Sequence, residues 1–440
     1  APLTLAATLI LGSNLPVAAL KINLTYGASV TEEQKEAAEL AALIWENYIT
    51  DDITVNIHMD MKELDWGKMG AAVPNLRTNY DYNQFRIRAE AEARLAGQNN
   101  NFLPTAINLE DSSVSRYKII YQNGQWISRN DDSLTIYQDG EGVPESYDSQ
   151  MMITAANAMA LGLSFSSNSE LHGYIQLNSR YNWSYKYALG TVDKNKFDFT
   201  SVVIHEIGHN LGFISGVDPI QSQAQARPST LDMMRCSDYS ATLGAIDFSV
   251  DSHRRYFSID GCQTVFNLTE TEQTTNKKGK IVEETRTYEA LFARGTNTSL
   301  GGDGMQASHW ADQNPDTGIM NPLMSSNTIR RLTGVDLTAM DYIGYDVDLK
   351  KYYKTDDNGD YILDRNDNKI FKQLDLASLQ SQAIDRAAGD NYRPEYSPDG
   401  DPTTANQVEK FMEESGIYYS WWGGGEECPD PNDPDSCTFW

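Results

Sequence analysis

The 440-residue chain carries 62 Asp and Glu against 35 Lys and Arg, a formal charge of -27, and 40% of its residues are hydrophobic. That length and composition suit two or three folded units with a sizeable core, and they exclude a disordered, collagen-like or stapled miniature chain. So acidic a surface repels phosphate backbones and anionic head groups, so nucleic acid is not an expected partner.

No charged residue precedes Lys21, and the opening APLTLAATLILGSNLPVAAL places small residues around Pro16 to Ala19 after an apolar run. Residues 1–19 therefore read as a signal-peptide remnant; the other reading is a first strand or helix packed on the core. No later stretch reaches the ~18 apolar residues of a membrane span. A soluble exported protein is expected, secreted or held in the periplasm or at the cell surface.

From residue 20 the pattern is strand, helix, strand. KINLTYG (21–27) alternates as a half-buried strand, and Thr31 with Gln34 forms a capping box for a helix over 31–49. On that helix Leu40, Ala41, Ile44, Trp45 and Tyr48 make one apolar face that should lie on a sheet. A strand follows at 53–61, then two helices at 80–97 and 146–163. HGYIQLNS (172–179) alternates again and reads as a strand at or near a sheet edge. Residues 198–213 form a helix that Asp198 or Thr200 can cap, with a stripe of Val203, Ile204, Ile207 and Leu211 and a stop at Gly212. Residues 269–292 read as a hairpin and 333–347 as an amphipathic helix. Beyond 350, turn clusters at 356–360 and 364–368 separate short strands, and helices follow near 375–388 and 404–415.

The cysteines are Cys236, Cys262, Cys428 and Cys437. None has zinc-knuckle spacing. Disulfides 236–262 and 428–437 fit an exported protein, the alternative being free buried thiols.

The chemistry sits on the helix at 198–213. His205-Glu206-Ile207-Gly208-His209 is an HExxH: histidines four apart share one helical face and can bind one zinc, while Glu206 beside the first reaches a water at that metal. With 6 His in the chain, chance supplies this motif roughly 0.005 times, so coincidence is a poor explanation. A catalytic zinc needs a third protein ligand and an open position. The thermolysin-like route needs a Glu on the next helix, and none occurs between Glu206 and Glu270. The short metzincin pattern HExxHxxGxxH needs a third His where this chain has Ser215. Of the other histidines, His58, His172 and His253 read as structural or exposed. His309, in ASHWADQNPDTGIMNPLM, stands just before a turn containing Met320 and Pro322.

At this point the sequence resembles the leishmanolysin-type metzincins, in which a long insertion separates HExxHxLGF from a third His in an SHW-like segment and a Met-turn follows. His205, Glu206, His209, Gly212 and Phe213 match the helix motif, Ser308-His309-Trp310 matches the third-ligand segment, and Met320 falls in the Met-turn position. The chain is similar, more closely, to bacterial exported metalloproteases through HEIGHNLGFISGVD, RYFSIDG (255–261), ASHW (307–310), GIMNP (318–322) and DLTAMDYIGYDV (336–347). The resemblance covers about residues 20–350. It implies one catalytic Zn2+ on His205, His209 and His309, Glu206 as general base, Met320 packed beneath the metal, and an extended peptide or protein substrate paired to a sheet edge, the place it gives to HGYIQLNS. Asp218 stays open as an alternative third ligand, or as a brace for a zinc histidine.

Two further features are weaker. Asp356, Asn358 and Asp360 open like a calcium loop, but the sixth position is Tyr361 and the twelfth is Asp367, so a hairpin turn is preferred over Ca2+. Trp421, Trp422, Phe439 and Trp440 suit either a carbohydrate or partner surface or a tail folded on its own domain.

The expected fold is α+β, a metzincin-like zincin with a mixed sheet. Its N-terminal catalytic subdomain spans 20–213 and ends in the active-site helix. A C-terminal subdomain, 214–350, carries the insertion, the third ligand and the Met-turn, and 351–440 is a small extension. The expected function is a secreted zinc endopeptidase. The rival reading is a catalytically silent surface adhesin or binding protein on the same fold, which would have no need of Glu206.

Overall fold

The computed structural model describes residues 19–95, 103, 107–108, 115–120, 147–148, 150–164, 170–218, 227–243, 245–275 and 279–389. Residues 1–18, the expected helix at 404–415, the pair Cys428 and Cys437 and the aromatic tail lie outside them. The fold is mixed α+β.

Strand β1 (Lys21–Tyr26) leads into helix α1 (Glu32–Tyr48), whose start is fixed by the expected capping box: Thr31 accepts from the Gln34 N–H while Gln34 accepts from the Thr31 N–H. Strands β2 (Thr54–Lys62) and β3 (Gly70–Pro74) follow, then β4 (Leu76–Asp81) and helix α2 (Tyr82–Leu95). Residues 146–163 do not form one helix. Strand β5 (Gln150–Thr154) pairs antiparallel with β4, and only the six residues of α3 (Ala155–Ala160), capped by Thr154, are helical. The apolar run Met151–Ile153 is fully buried, and a short run apolar on all sides carries no period to separate strand from helix.

Strand β6 (Gly173–Asn178) completes a four-stranded sheet in the order β1-β2-β6-β3. It pairs parallel with β2 and antiparallel with β3, so the strand expected at or near an edge lies one in from it, and the edge among the described residues is β3. The alternation that suggested an edge has another cause. Ile22, Leu24, Val55, Ile57, Ile175 and Leu177 alternate with Asn23, Thr25, Asn56, His58, Tyr174 and Gln176 along the three strands, and both sets are buried. A polar face can be buried when its groups bond one another, as Asn23 bonds Asn56 and Thr25 bonds His58. The apolar face packs with α1 and with helix α4 (Phe199–Leu211) in one continuous core.

The second half is built from short ladders. Arg235–Cys236, Arg255–Phe257 and Leu291–Phe292 form a three-stranded sheet, with Cys236 joined to Cys262 by a disulfide. The expected hairpin is β7 (Asn267–Thr275) and β8 (Ile281–Glu289). Helix α5 (Gly334–Tyr342) has a second capping box, Thr333 with Asp336, and is shorter than expected because the chain turns at Gly344, where φ is 107°.

Residues 351–389 pack on both halves. Strand β9 (Lys369–Ile370) adds to β7, and Tyr352 and Tyr353 both donate to buried Glu270. Helix α6 (Leu376–Ala388) lies on α1, with Arg386 ion-paired to Glu39 and hydrogen-bonded to Glu46 and the Ile22 carbonyl. Each acidic turn is closed by its first Asp: Asp356 accepts from the N–H groups of Asn358 and Asp360, and Asp364 from those of Asn366 and Asn368.

Candidate metal centre

Helix α4 forms where the sequence places it. Asp198 caps it by accepting from the Ser201 N–H at 2.7 Å, the apolar stripe is buried, and Gly212 at φ 130° ends it. Trp45 of α1 donates to the Ile204 carbonyl and locks the two helices together. His205 and His209 then face the same side, one turn apart.

His309 arrives from the second half and meets them. The Nε2 atoms of His205 and His209 lie 3.0 Å apart, and those of His205 and His309 lie 3.2 Å apart. Among the described residues these three are the one group of metal-ligating side chains drawn together. Each ring has its other nitrogen on a backbone carbonyl: His205 Nδ1 on Ile319 at 2.8 Å, His209 Nδ1 on Phe213 at 2.7 Å, and His309 Nδ1 on Gln306 at 3.1 Å. A carbonyl only accepts, so each Nδ1 carries the proton and each neutral ring turns an Nε2 lone pair toward the common point. Burial holds all three rings below their ordinary pKa, His209 at about 4. Three lone pairs this close repel unless a cation lies between them, and the spacing is near the ~3.3 Å edge of a tetrahedron with zinc–nitrogen bonds of about 2.0–2.1 Å. The residues fit a zinc ion.

Glu206, next to His205 on the same helix, is fully buried, and neither carboxylate oxygen has a hydrogen-bond partner among the described residues. Desolvation pushes its pKa well above the usual range. Leaving a buried carboxylate unpaired is costly, so its place calls for a group that arrives from outside. Strand β3 runs close over it. A Cβ on Gly70 would stand 2.5 Å from Glu206 Oε1, so any larger residue there would have to displace the carboxylate.

The register of β3 decides what its edge offers. Asn178 donates to the Met69 carbonyl and Asn75 donates to the His172 carbonyl, so residues 69, 71, 73 and 75 bond to β6. Gly70 and Ala72 therefore turn their N–H and C=O groups to the edge, which has no strand partner among the described residues. Pro74 supplies a carbonyl alone.

The segment bearing His309 is held by side chains from three directions. Asp218 accepts from Thr296 N–H and Oγ and from the Ala307 N–H, two residues before His309. It lies outside the ligating group and braces the histidine's segment instead. Buried Arg235 donates to the Ala293 carbonyl, and the Ala293 N–H in turn donates to the His309 carbonyl. Asp336 is the third anchor. Buried at the first turn of α5, it accepts from Trp310 Nε1, from the N–H groups of Ile319 and Met320, and from Thr333. One carboxylate thus ties α5 to the residue after His309 and to the turn whose Ile319 carbonyl orients His205.

Met320 packs under α4. A Cβ on Gly208 would come within 2.6 Å of its sulfur, so the glycine between the two helical histidines makes room for the methionine. His58 stacks on Tyr174 and His172 accepts from the Asn56 N–H, both in the sheet, while His253 is exposed beside Asp251. None approaches the triad. Gly70, Arg235 and Asp336 were not singled out by sequence. Asp336 alone left a trace, as an acid at the third position after Thr333. No protein-family model, curated protein or solved structure matches the chain.

Proposed function

We propose that the chain is a zinc-dependent endopeptidase of metzincin type, exported and acting on extracellular peptides and proteins. The observation that carries this reading is the convergence of three buried, carbonyl-oriented imidazoles, two of them from the helix that also carries a buried carboxylate with no partner among the described residues. A binding protein needs no such carboxylate.

His205, His209 and His309 would hold the ion, which supplies Lewis-acid polarisation of the scissile carbonyl and of water when bound. Glu206 takes the proton from the attacking water and delivers it to the leaving nitrogen. Its dry surroundings suit this, because they raise its proton affinity toward that of the groups it serves. An extended substrate adds to the β3 edge through the N–H and C=O groups of Gly70 and Ala72, which brings its backbone past Glu206. The Cys236–Cys262 disulfide favours an oxidising compartment and with it export.

Metal analysis paired with cleavage of casein by wild type and Glu206→Ala tests the reading. Both proteins should bind one zinc, and only wild type should cut. A zinc-loaded wild type that cleaves no peptide or protein under any activation condition would sink it.

A further inference from the structure

We propose that two copies of this chain pair antiparallel through strand β8, with Thr285 on a two-fold axis, to make one continuous sheet across the dimer. Among the described residues strand β8 is the outer strand of its sheet, and residues 281–287 are exposed, with Ile281 at 60% and Val282 at 43%. It is nine residues long and pairs with β7 without a bulge, and its sequence IVEETRTYE contains no proline. Edges of that kind invite another strand unless something blunts them.

The ladder fixes which groups face outward. The Ala290 N–H donates to the Phe266 carbonyl, so the pairs at 268–288, 270–286 and 272–284 are the hydrogen-bonded ones. Residues 283, 285 and 287 therefore present their N–H and C=O groups to solvent. An antiparallel partner centred on Thr285 places Glu283 against the partner's Thr287 and Thr285 against the partner's Thr285. All six donors of the two strands then meet six acceptors.

The side chains obey the same axis. Glu284 comes opposite the partner's Arg286, and Arg286 opposite the partner's Glu284, so one register gives two opposite-charge cross-strand pairs. Val282 comes opposite the partner's Tyr288. Side chains of Glu284 and Arg286 are 61% and 42% exposed, and their bond to each other within one strand leaves them on the same face, ready for the exchange. Shifting the register by two residues sets Glu284 against the partner's Glu284 or the partner's Tyr288 and loses the match. A self-complementary strand implies an isologous dimer of this chain, since a different partner would not require the palindromic charge order.

Sedimentation velocity on the full chain, from about 1 to 100 µM, tests the proposal. A concentration-dependent dimer is expected. Arg286→Glu, which opposes glutamates twice per dimer, should weaken it about 10-fold or more. The swap Glu284→Arg/Arg286→Glu restores the pairs in reversed order and should restore the dimer. Thr285→Pro removes an outward N–H without touching the β7 ladder and should leave a monomer. Zinc content and circular dichroism check that each variant is folded. A wild type that is monomeric at the top concentration overturns the proposal. So does a dimer indifferent to both Arg286→Glu and Thr285→Pro, and failure of the charge swap to restore pairing overturns the register.

Discussion

Glu206, Gly70 and Asp218 show three ways in which one residue can serve the centre, and each has its own signature when replaced. Glu206→Gln keeps the shape and removes the proposed base. Zinc stoichiometry should stay at one while peptide hydrolysis falls by about 10²–10⁴-fold, read by metal analysis and initial rates on the same preparation. Gly70→Ala pushes a methyl into the space that Glu206 occupies, 2.5 Å from Oε1. It should retain metal and lose turnover, and full activity would show that β3 does not need to pass so close. Asp218→Ala acts differently because it strips the acceptor from Thr296 and Ala307 and loosens the segment of His309. Its zinc affinity, measured by competition with a chelator, should fall about 10–100-fold, the usual cost of losing a group that orients a ligand. The helical half of this site was legible because His205, Glu206 and His209 sit within one turn and helix geometry alone brings them together. Gly70 was not, since its role rests on a contact with a residue 136 positions away and a lone glycine before a strand has no signature.

At the scale of elements, α6 tests whether the late segment is part of the folded unit. Arg386 reaches Glu39 at 3.2 Å and Glu46 at 3.0 Å, and it also holds the Ile22 carbonyl of β1. Burial pushes Glu39 up to about 7, against the pull of Arg386 downward. The raised value means that Glu39 is protonated in the folded state below pH 7, so its favourable contribution is present at low pH and declines as pH rises through 7. In Arg386→Ala the opposing cation is gone and Glu39 rises further. Below pH 7 wild type and variant both carry a neutral Glu39, and their difference is set by lost hydrogen bonds. Above pH 7 only wild type ionises Glu39 against a partner, so the deficit should widen toward about 3 kcal/mol by pH 9, the scale of breaking a buried pair. Urea unfolding at pH 6 and pH 9 reads this directly; a deficit independent of pH would assign α6 a packing role only. The same elements show why sequence reading succeeds unevenly. Helices α1 and α4 were found because caps and a 3.6-residue stripe are local. β6 was set at or near an edge because strict alternation signals one wet face; it lies one strand in, and its polar face is buried through mutual hydrogen bonds that only the assembled sheet supplies.

For the whole molecule the three histidines join the two halves, because α4 belongs to the first half and His309 comes 104 residues after His205. The two halves also share one core, in which Trp310 and Met320 pack with residues of α1 and α4. Metal bound only to the folded arrangement adds stability by mass action, about 4 kcal/mol at a thousand times the dissociation constant. Stripping the ion should therefore lower the melting temperature of wild type, and re-adding zinc should restore it. The effect has a specific cause beyond ligand binding: without a cation, the lone pairs of three neutral, buried imidazoles converge, with His205 3.0 Å from His209 and 3.2 Å from His309. His309→Ala relieves that crowding and breaks the link between the halves. Its metal-free form should melt no lower than metal-free wild type by more than the cost of the lost side chain, while its gain on adding zinc should be far smaller. Calorimetry of both proteins, each with and without zinc and with metal content assayed, gives the four values required. If wild type demonstrably stripped of metal melts where the zinc form does, the three histidines are a packing cluster and not a metal centre.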